Sequence, residues 1–220
     1  MADTPQPIPK TLWLGMSLVL GLLALAYLLS LVEMERHRHQ HAALPILGKI
    51  SDFALTNQAG QFTTLADLTN HVWVADIIFT RCAGPCPIMT GHMKSLQDAL
   101  PAASKAKLVT LTTDPDFDSP SVLKRYGEHF GADDRRWTFL TGTKQEIANL
   151  GSGSLKLGST PVKLEDRQSV ADLFIHTTIF VLVDKHAQLR GVFQTGGDDV
   201  NWTNVQPHLV AAIAQLEHEP

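Results

Sequence analysis

The stretch HVWVADIIFT, residues 71–80, limits the folds open to this chain more than any other segment. It is short, apolar and rich in β-branched and aromatic residues, which suits a strand buried on both faces. Such a strand needs a layer of structure on each side of its sheet. The flanking segments supply those layers in alternation. SDFALTNQAGQFTTLADL reads as a strand, an Ala-Gly turn, a second strand and a short helical turn. Helical periodicity runs from about Cys86 to Leu100, with Met89, Met93 and Leu96 on one side, and stops before Pro101.

The alternation continues. KLVTLTTD is a strand, and SPSVLKRYGEHFG a helix with Pro120 at its first position and Gly131 just past its end. RRWTFLTG is a strand, and TKQEIANLG a helix with a capping-box pattern from Thr143 to Glu146. The Gly- and Ser-rich GSGSLKLGSTP is expected to be a loop. TTIFVLVDKHAQLRGVFQT predicts a hairpin turning at Asp184 to Gln188. VNWTNVQPHLVAAIAQLEHE closes the chain as a helix, with Pro207 marking a first turn or a kink. No internal repeat is present. The expected class is α/β, a mostly parallel sheet with an antiparallel part, thioredoxin-like in outline.

Of the 220 residues 44% are hydrophobic, and the excess lies at one end. Thr11 to Val32 carries no charge and is long enough to cross a bilayer core of about 30 Å. Trp13 and Tyr27 stand towards its ends, where amphipathic rings favour the interface. A cleaved signal would have a shorter apolar region and a small-residue cleavage site, and VEMERHRHQH offers none. The chain thus divides into a short segment (1–10), a transmembrane anchor (11–32), a stalk (33–45) and a globular domain (46–220). Lys10 on one side of the run and Arg36 and Arg38 on the other leave its orientation open. The stalk histidines His37, His39 and His41 alternate, a pattern that serves as a solvated linker or a transient metal holder. With a formal net charge of −4 and no basic face, nucleic acid is not an expected partner.

The two cysteines, Cys82 and Cys86, stand in FTRCAGPCPIM at the junction of a strand and a helix. A disulfide scaffold would use more cysteines. Placed in one helical turn, the two side chains would share a face with Cβ atoms about 5–6 Å apart. That separation allows a disulfide after a small adjustment, or two thiolates on one soft metal ion. A helix N-terminus favours anions, so at least one thiol is expected to have a lowered pKa. Two thiolates enclose an ion poorly. Among ten histidines, His176 differs in opening an otherwise apolar strand, FIHTTIFVLV, as a structural residue or as a third ligand.

At these residues the chain resembles the Sco/SenC family of copper-binding, membrane-anchored thioredoxin-like proteins. FTRCAGPCP looks like the family's F-T-x-C-x-x-x-C-P signature. LTTDPDFDSPSVLKRYGEHFG is similar to its S-V-D-P-x-x-D-T-P segment and following helix, and WTFLTGTKQEI to its L-T-G element. IHTTIFVLVD matches the D-H-S/T that precedes an apolar strand. The likeness spans about residues 50–195. It implies that Cys82, Cys86 and His176 bind copper. It also implies an anchored domain on the periplasmic or intermembrane-space side, and a role in building the binuclear copper centre of cytochrome c oxidase. With no Arg- and Ser-rich transit peptide, a bacterial inner membrane with the domain in the periplasm is the expected location. Ala83 stands where a proline is common, and Ile175 where an aspartate usually precedes the histidine. Asp114 and Asp118 match the family's D-P-x-x-D and read as structural turn and cap residues.

Two mechanisms follow. In the first, a copper chaperone holds Cu(I) through Cys82, Cys86 and neutral His176, takes Cu(II) with an added ligand, and hands copper to an oxidase subunit or another periplasmic copper protein. In the second, a thiol–disulfide oxidoreductase attacks a partner disulfide through the more exposed Cys82 and resolves through Cys86. A peroxidase of the peroxiredoxin type shares the fold, but its threonine-assisted nucleophile does not resemble this motif.

Overall fold

The structure is a computed structural model that describes residues 20–31, 43–161, 174–176, 178–197 and 200–219, with only the backbone at 159–161 and 174–176. It falls into two compact units, Met1–Ala43 and Leu44–Pro220. The first contains helix α1 over 20–31. Among the described residues no helix is long and apolar enough to cross a membrane. The rest of the span read over Thr11–Val32, and the stalk histidines, lie outside the described residues.

The second unit is built on an eight-stranded sheet. Its strands are β1 (Gly48–Lys49), β2 (Ala54–Asn57), β3 (Phe62–Thr64), β4 (Trp73–Ile78), β5 (Lys107–Thr112), β6 (Trp137–Thr141), β9 (Ile179–Val183) and β10 (Gln188–Gln194). Their order is β1-β10-β9-β4-β5-β6-β2-β3. Strands β7 (Ser159–Pro161) and β8 (Phe174–His176) pair antiparallel in a separate ribbon. Among the described strands only β4–β5 and β5–β6 pair in parallel. The expectation of a mostly parallel sheet is therefore corrected. The hairpins β2–β3 and β9–β10 dock on either side of a three-stranded parallel centre, and every pairing they bring is antiparallel.

β4 is buried at every position, as its composition required. Trp73, Ala75 and Ile77 point into one core with Val109 and Leu111, closed by helix α2 (Leu65–Leu68) and by Ile147 of α5 (Lys144–Ala148). Val74 points into the other core with Leu108. That core is closed by Met89, Met93 and Leu96 of α3 (Pro85–Ala99), Leu123 of α4 (Pro120–Phe130) and Leu209, Ile213 and Leu216 of α6 (Trp202–His218). Period-2 alternation on the central strands thus meets 3.6-residue periodicity on the helices that cover them.

Local chemistry sets the helix ends. α4 has Pro120 in its first turn and Gly131 as its C-cap at φ 72°, a left-handed conformation that glycine adopts without strain. α5 carries the expected capping box between Thr143 and Glu146. The expected loop after it begins instead as a π-helical turn, Asn149–Ser154. Pro207 lies inside α6, past its first turn.

Gly127 sits where α4 crosses β6. A Cβ there would stand 2.8 Å from Phe139 Cε2. The ring has little room to yield, being stacked on Trp137 at 5.0 Å and met edge-on by Tyr126. Overpacking of this kind costs about 1–3 kcal/mol, against a gain in helix propensity of about 1 kcal/mol. Gly127→Ala is expected to lower the thermal midpoint by several degrees. A midpoint equal to or above the wild type's would show that Phe139 is free to move.

Candidate functional site

The end of β4 runs directly into the cysteine loop. After Ile78 the backbone turns, and Cys82 N–H donates to the Phe79 carbonyl at 3.2 Å. The loop Asp114–Asp118 braces it from the side. Asp118, fully buried, accepts from the Thr80 amide at 3.1 Å, from the Thr80 hydroxyl, and from the Thr112 hydroxyl at 2.5 Å. Burial nevertheless raises its pKa against those bonds. Arg81 donates to Asp114 at 2.5 Å, and its guanidinium lies 4.0 Å from the centre of the Phe117 ring. Both aspartates thus act structurally, while the N-cap of α4 is Ser119.

α3 begins at Pro85, with Gly84 as its N-cap. Cys86 is in the first helical turn, but Cys82 stands in the loop before it. The two cysteines therefore do not occupy one helical turn, because a proline in the first turn starts the helix too late to include Cys82. The folded-back loop brings the sulfurs together instead. Neither is in a disulfide; Cys82 is 6% exposed and Cys86 fully buried. The pKa of Cys86 is driven upward, first by its side-chain hydrogen bond to Cys82 and then by burial, while a backbone bond from Phe79 works the other way. The expected lowering does not hold for Cys86, where that bond and desolvation outweigh the helix N-terminus.

A buried polar chain lies beneath the pair. The Thr90 hydroxyl donates to the Cys86 carbonyl at 2.9 Å and shares a 2.8 Å bond with the Tyr126 hydroxyl. Burial raises the pKa of Tyr126, keeping it protonated. Deeper still is Asp76, fully buried in the middle of β4. One of its oxygens accepts from Thr110 at 2.6 Å, and Thr110 accepts from Trp137 Nε1 at 2.9 Å. The other oxygen, Oδ2, is buried with no hydrogen-bond partner. Burial pushes its pKa up to about 7, and its charge acts on both Cys86 and Tyr126. Reading the whole strand as apolar passed over this residue. The signal was a lone charge inside a doubly buried strand, a position that charged residues almost never take without a partner.

His176 ends β8, opposite Ser159. Its imidazole lies outside the described residues. Its backbone place follows from topology: β9 runs antiparallel to β4, so the chain enters β9 at the end of the sheet where β4 leaves for the cysteines. Ile175 pairs with Thr160. His92, on the cysteine-bearing helix, stacks on Trp202 with ring centres 4.6 Å apart. Among the described residues no three His, Cys, Asp or Glu side chains are grouped to hold a metal. Two sulfurs within hydrogen-bonding reach of each other in a water-poor loop nonetheless suit a soft ion such as Cu(I).

The SCO1/SenC family profile matches residues 47–206. A SCO1 protein homolog of Bacillus subtilis (strain 168) is 32% identical over 161 residues, covering 71% of this chain and 81% of its own. The structure of BsSco, described as a Sco-family cytochrome c oxidase assembly protein with a disulfide switch, superposes with a TM-score of 0.64 at 28% identity, over 78% of this chain and 98% of that one. Yeast Sco1 with copper bound superposes at 0.60 with 25% identity, over 76% and 87% of the two chains.

Proposed function

This chain belongs to the SCO1/SenC family, and from that premise we propose that it is a copper carrier, with Cys82, Cys86 and His176 holding Cu(I) as cargo. The observation that carries the reading is the thiol pair: Cys82 and Cys86 share a hydrogen bond at the end of the sheet where the chain enters β9 just after His176. Replacing the shared proton with a soft cation turns that contact into two sulfur ligands. A neutral imidazole completes a three-coordinate site open on one side, through which a thiol or imidazole of the receiving protein takes the ion by exchange. The recipient is a copper-receiving oxidase subunit or another periplasmic copper protein, in keeping with the assembly role named for BsSco. The uncharged run Thr11–Val32 serves as the inner-membrane anchor, with the domain on the periplasmic side.

A second reading has its own support. Dithiol exchange needs one thiolate poised to attack and a second thiol held in reserve. The deeper burial and raised pKa of Cys86 beside the slightly exposed Cys82 provide that asymmetry, and a disulfide switch is named for BsSco. One pair of cysteines serves both chemistries, carrying copper when reduced and exchanging with a partner disulfide when free of metal.

Anaerobic titration of the full chain in neutral detergent with Cu(I), against a competing chelator, tests the first reading. One ion per chain is expected. Losing an outer-sphere partner of a metal ligand costs roughly 10–100-fold in affinity, so Cys82→Ser, Cys86→Ser and His176→Ala should each weaken binding by at least about 100-fold. Affinity should also fall with acid, since Cys86 must give up a tightly held proton. Binding indifferent to His176→Ala would remove the histidine from the site. Failure of the reduced wild type to hold the ion would leave thiol exchange alone.

A further inference from the structure

β4 leaves for the cysteines at Ile78; its other end, at Trp73, lies beside Lys107 at the start of β5, and Trp137 at the start of β6 follows next to Leu108. At this far end of the sheet is a cavity of about 380 Å³. Ser104, Lys105, Lys107, Asp133, Arg135 and Arg136 line it, with two alanines. The volume is within the range of small-ligand sites. Four of these side chains are cationic and one is a carboxylate. The strands hold their backbone in place: Lys107 N–H donates to the Val72 carbonyl and Leu108 N–H to the Arg136 carbonyl, each at 2.9 Å. Charges presented from strand ends keep a more exact geometry than charges on a loop.

Asp133 does not neutralise the set. Its two oxygens are taken by Arg135, from Nε and Nη2 at 3.0 Å each, and Arg136 acts on it at longer range. Glu217, at the end of α6, spends its Oε1 on the Ser104 hydroxyl and the Lys105 amide, at 3.0 and 2.7 Å. Among the described residues no carboxylate is in salt-bridge contact with Lys105, Lys107 or Arg136. Lys107 Nζ donates to the Arg135 carbonyl at 2.9 Å and Arg136 Nη2 to the Ser104 carbonyl at 3.0 Å. Arg136 Nη1 is buried and has no hydrogen-bond partner. An unmet donor on a buried charged group is costly, and here it marks a missing acceptor.

We propose that this cavity is an anion site that takes a phosphate group, held by Arg136 with Lys105 and Lys107. The planar guanidinium pairs two phosphate oxygens, and the ammoniums meet the remaining charge as point cations. A simple carboxylate, with two oxygens and one charge, leaves this set of cations under-filled. Two sources supply the group: a soluble phosphate compound, or the headgroup of a phospholipid. The second is kept within reach by the anchor proposed over Thr11–Val32, and basic pockets near a membrane surface attract anionic headgroups. The chain also enters the domain at this end. Arg190 joins the Leu44 carbonyl to Glu219, at the same end of α6 that carries Glu217. The site is separate from the copper reading and stands or falls without it.

Calorimetric titration of the full chain in neutral detergent, metal-free and at low ionic strength, tests the proposal with two probes: pyrophosphate and a short-chain phosphatidylglycerol. At least one should bind at one per chain with a dissociation constant below about 1 mM. A hydrogen bond to a charged group is worth about tenfold or more in affinity, so Arg136→Gln and Lys105→Gln should each weaken binding by roughly 10-fold. Lys105 is exposed, so its variant keeps the test open should Arg136→Gln fail to fold. Arg125→Gln, on the exposed face of α4 and outside the cavity lining, should stay within about two-fold. Binding of pyrophosphate alone assigns the site to a soluble phosphate compound. Binding of the lipid, alone or more tightly, assigns it to a phospholipid headgroup. No binding of either probe up to about 10 mM, wild-type affinity in both cavity variants, or an equal loss in Arg125→Gln would overturn the proposal.

Discussion

Arg190→Met is expected to lower the free energy of unfolding by about 3–5 kcal/mol, since it leaves a buried carboxylate without its cation. The Arg190 side chain is only 8% exposed, and its Nη1 donates to Asp184 and Glu219, each at 2.8 Å. Its Nε and Nη2 donate to the Leu44 carbonyl at 3.1 and 2.7 Å. One guanidinium therefore joins the start of β10, the end of α6 and the entry of the chain into the domain. Asp184 is 4% exposed at the side chain, and its Oδ1 is already committed to the amides of His186 and Gln188 in the hairpin turn. Buried there, it cannot move out to water. Denaturant unfolding of wild type, Arg190→Met and the Arg190→Met/Asp184→Asn double variant measures the effect. The double variant should recover part of the loss, as removal of both charges does at buried pairs. A cost below about 1 kcal/mol for Arg190→Met would mean that the pair is hydrated.

The second large effect is the pH dependence carried by Asp76. A carboxyl ionises near 4 in an unfolded chain, whereas burial holds Asp76 protonated up to about 7 in the folded one. Between these values the unfolded chain releases the proton and the folded chain keeps it. Its contribution is therefore fully present below about pH 4 and is lost as pH rises towards 7, a change of roughly 4 kcal/mol. Asp118 shifts in the same direction, and His92, whose pKa burial lowers, in the opposite one. Comparing Asp76→Asn with wild type cancels both. The difference in stability should grow in the variant's favour by roughly 4 kcal/mol from pH 4 to pH 8. Even after the cost of an unpaired buried amide, about 1–3 kcal/mol, the variant should be the more stable protein at pH 8. Urea midpoints at four or five pH values suffice. A difference that stays flat with pH would show that Asp76 ionises in the folded protein as it does in water.

Much of this architecture was legible in the order of residues, and for a common reason. Helix ends at Pro120 and Gly131, the capping box from Thr143 to Glu146 and the turn at Asp184–Gln188 depend on contacts a few residues apart. Hydrophobic period then separates strand from helix with no knowledge of the partner element. The cysteine pair at the strand-to-helix junction was equally visible, and with it the family and the class of ion. The expected sharing of a helical turn failed because spacing gives the distance along the chain, while Gly84 and Pro85 decide where the helix starts.

What the folded structure decided lies in contacts between distant segments. The sequence by itself determined the central strands, the helices that cover them, their order and the two sulfurs, but not β1, the separate β7–β8 ribbon or the π-helical turn. It could not reveal that a hydrogen bond and burial raise the Cys86 thiol, since that depends on where the Cys82 sulfur is placed. Nor could it reveal that Asp76 meets Thr110 across a strand pair, that Thr80 is tied to Asp118, or that Arg190 reaches back to Leu44. Proton affinities and ion pairs follow from solvent exclusion and from charges brought together through space. Both exist only once the sheet has closed.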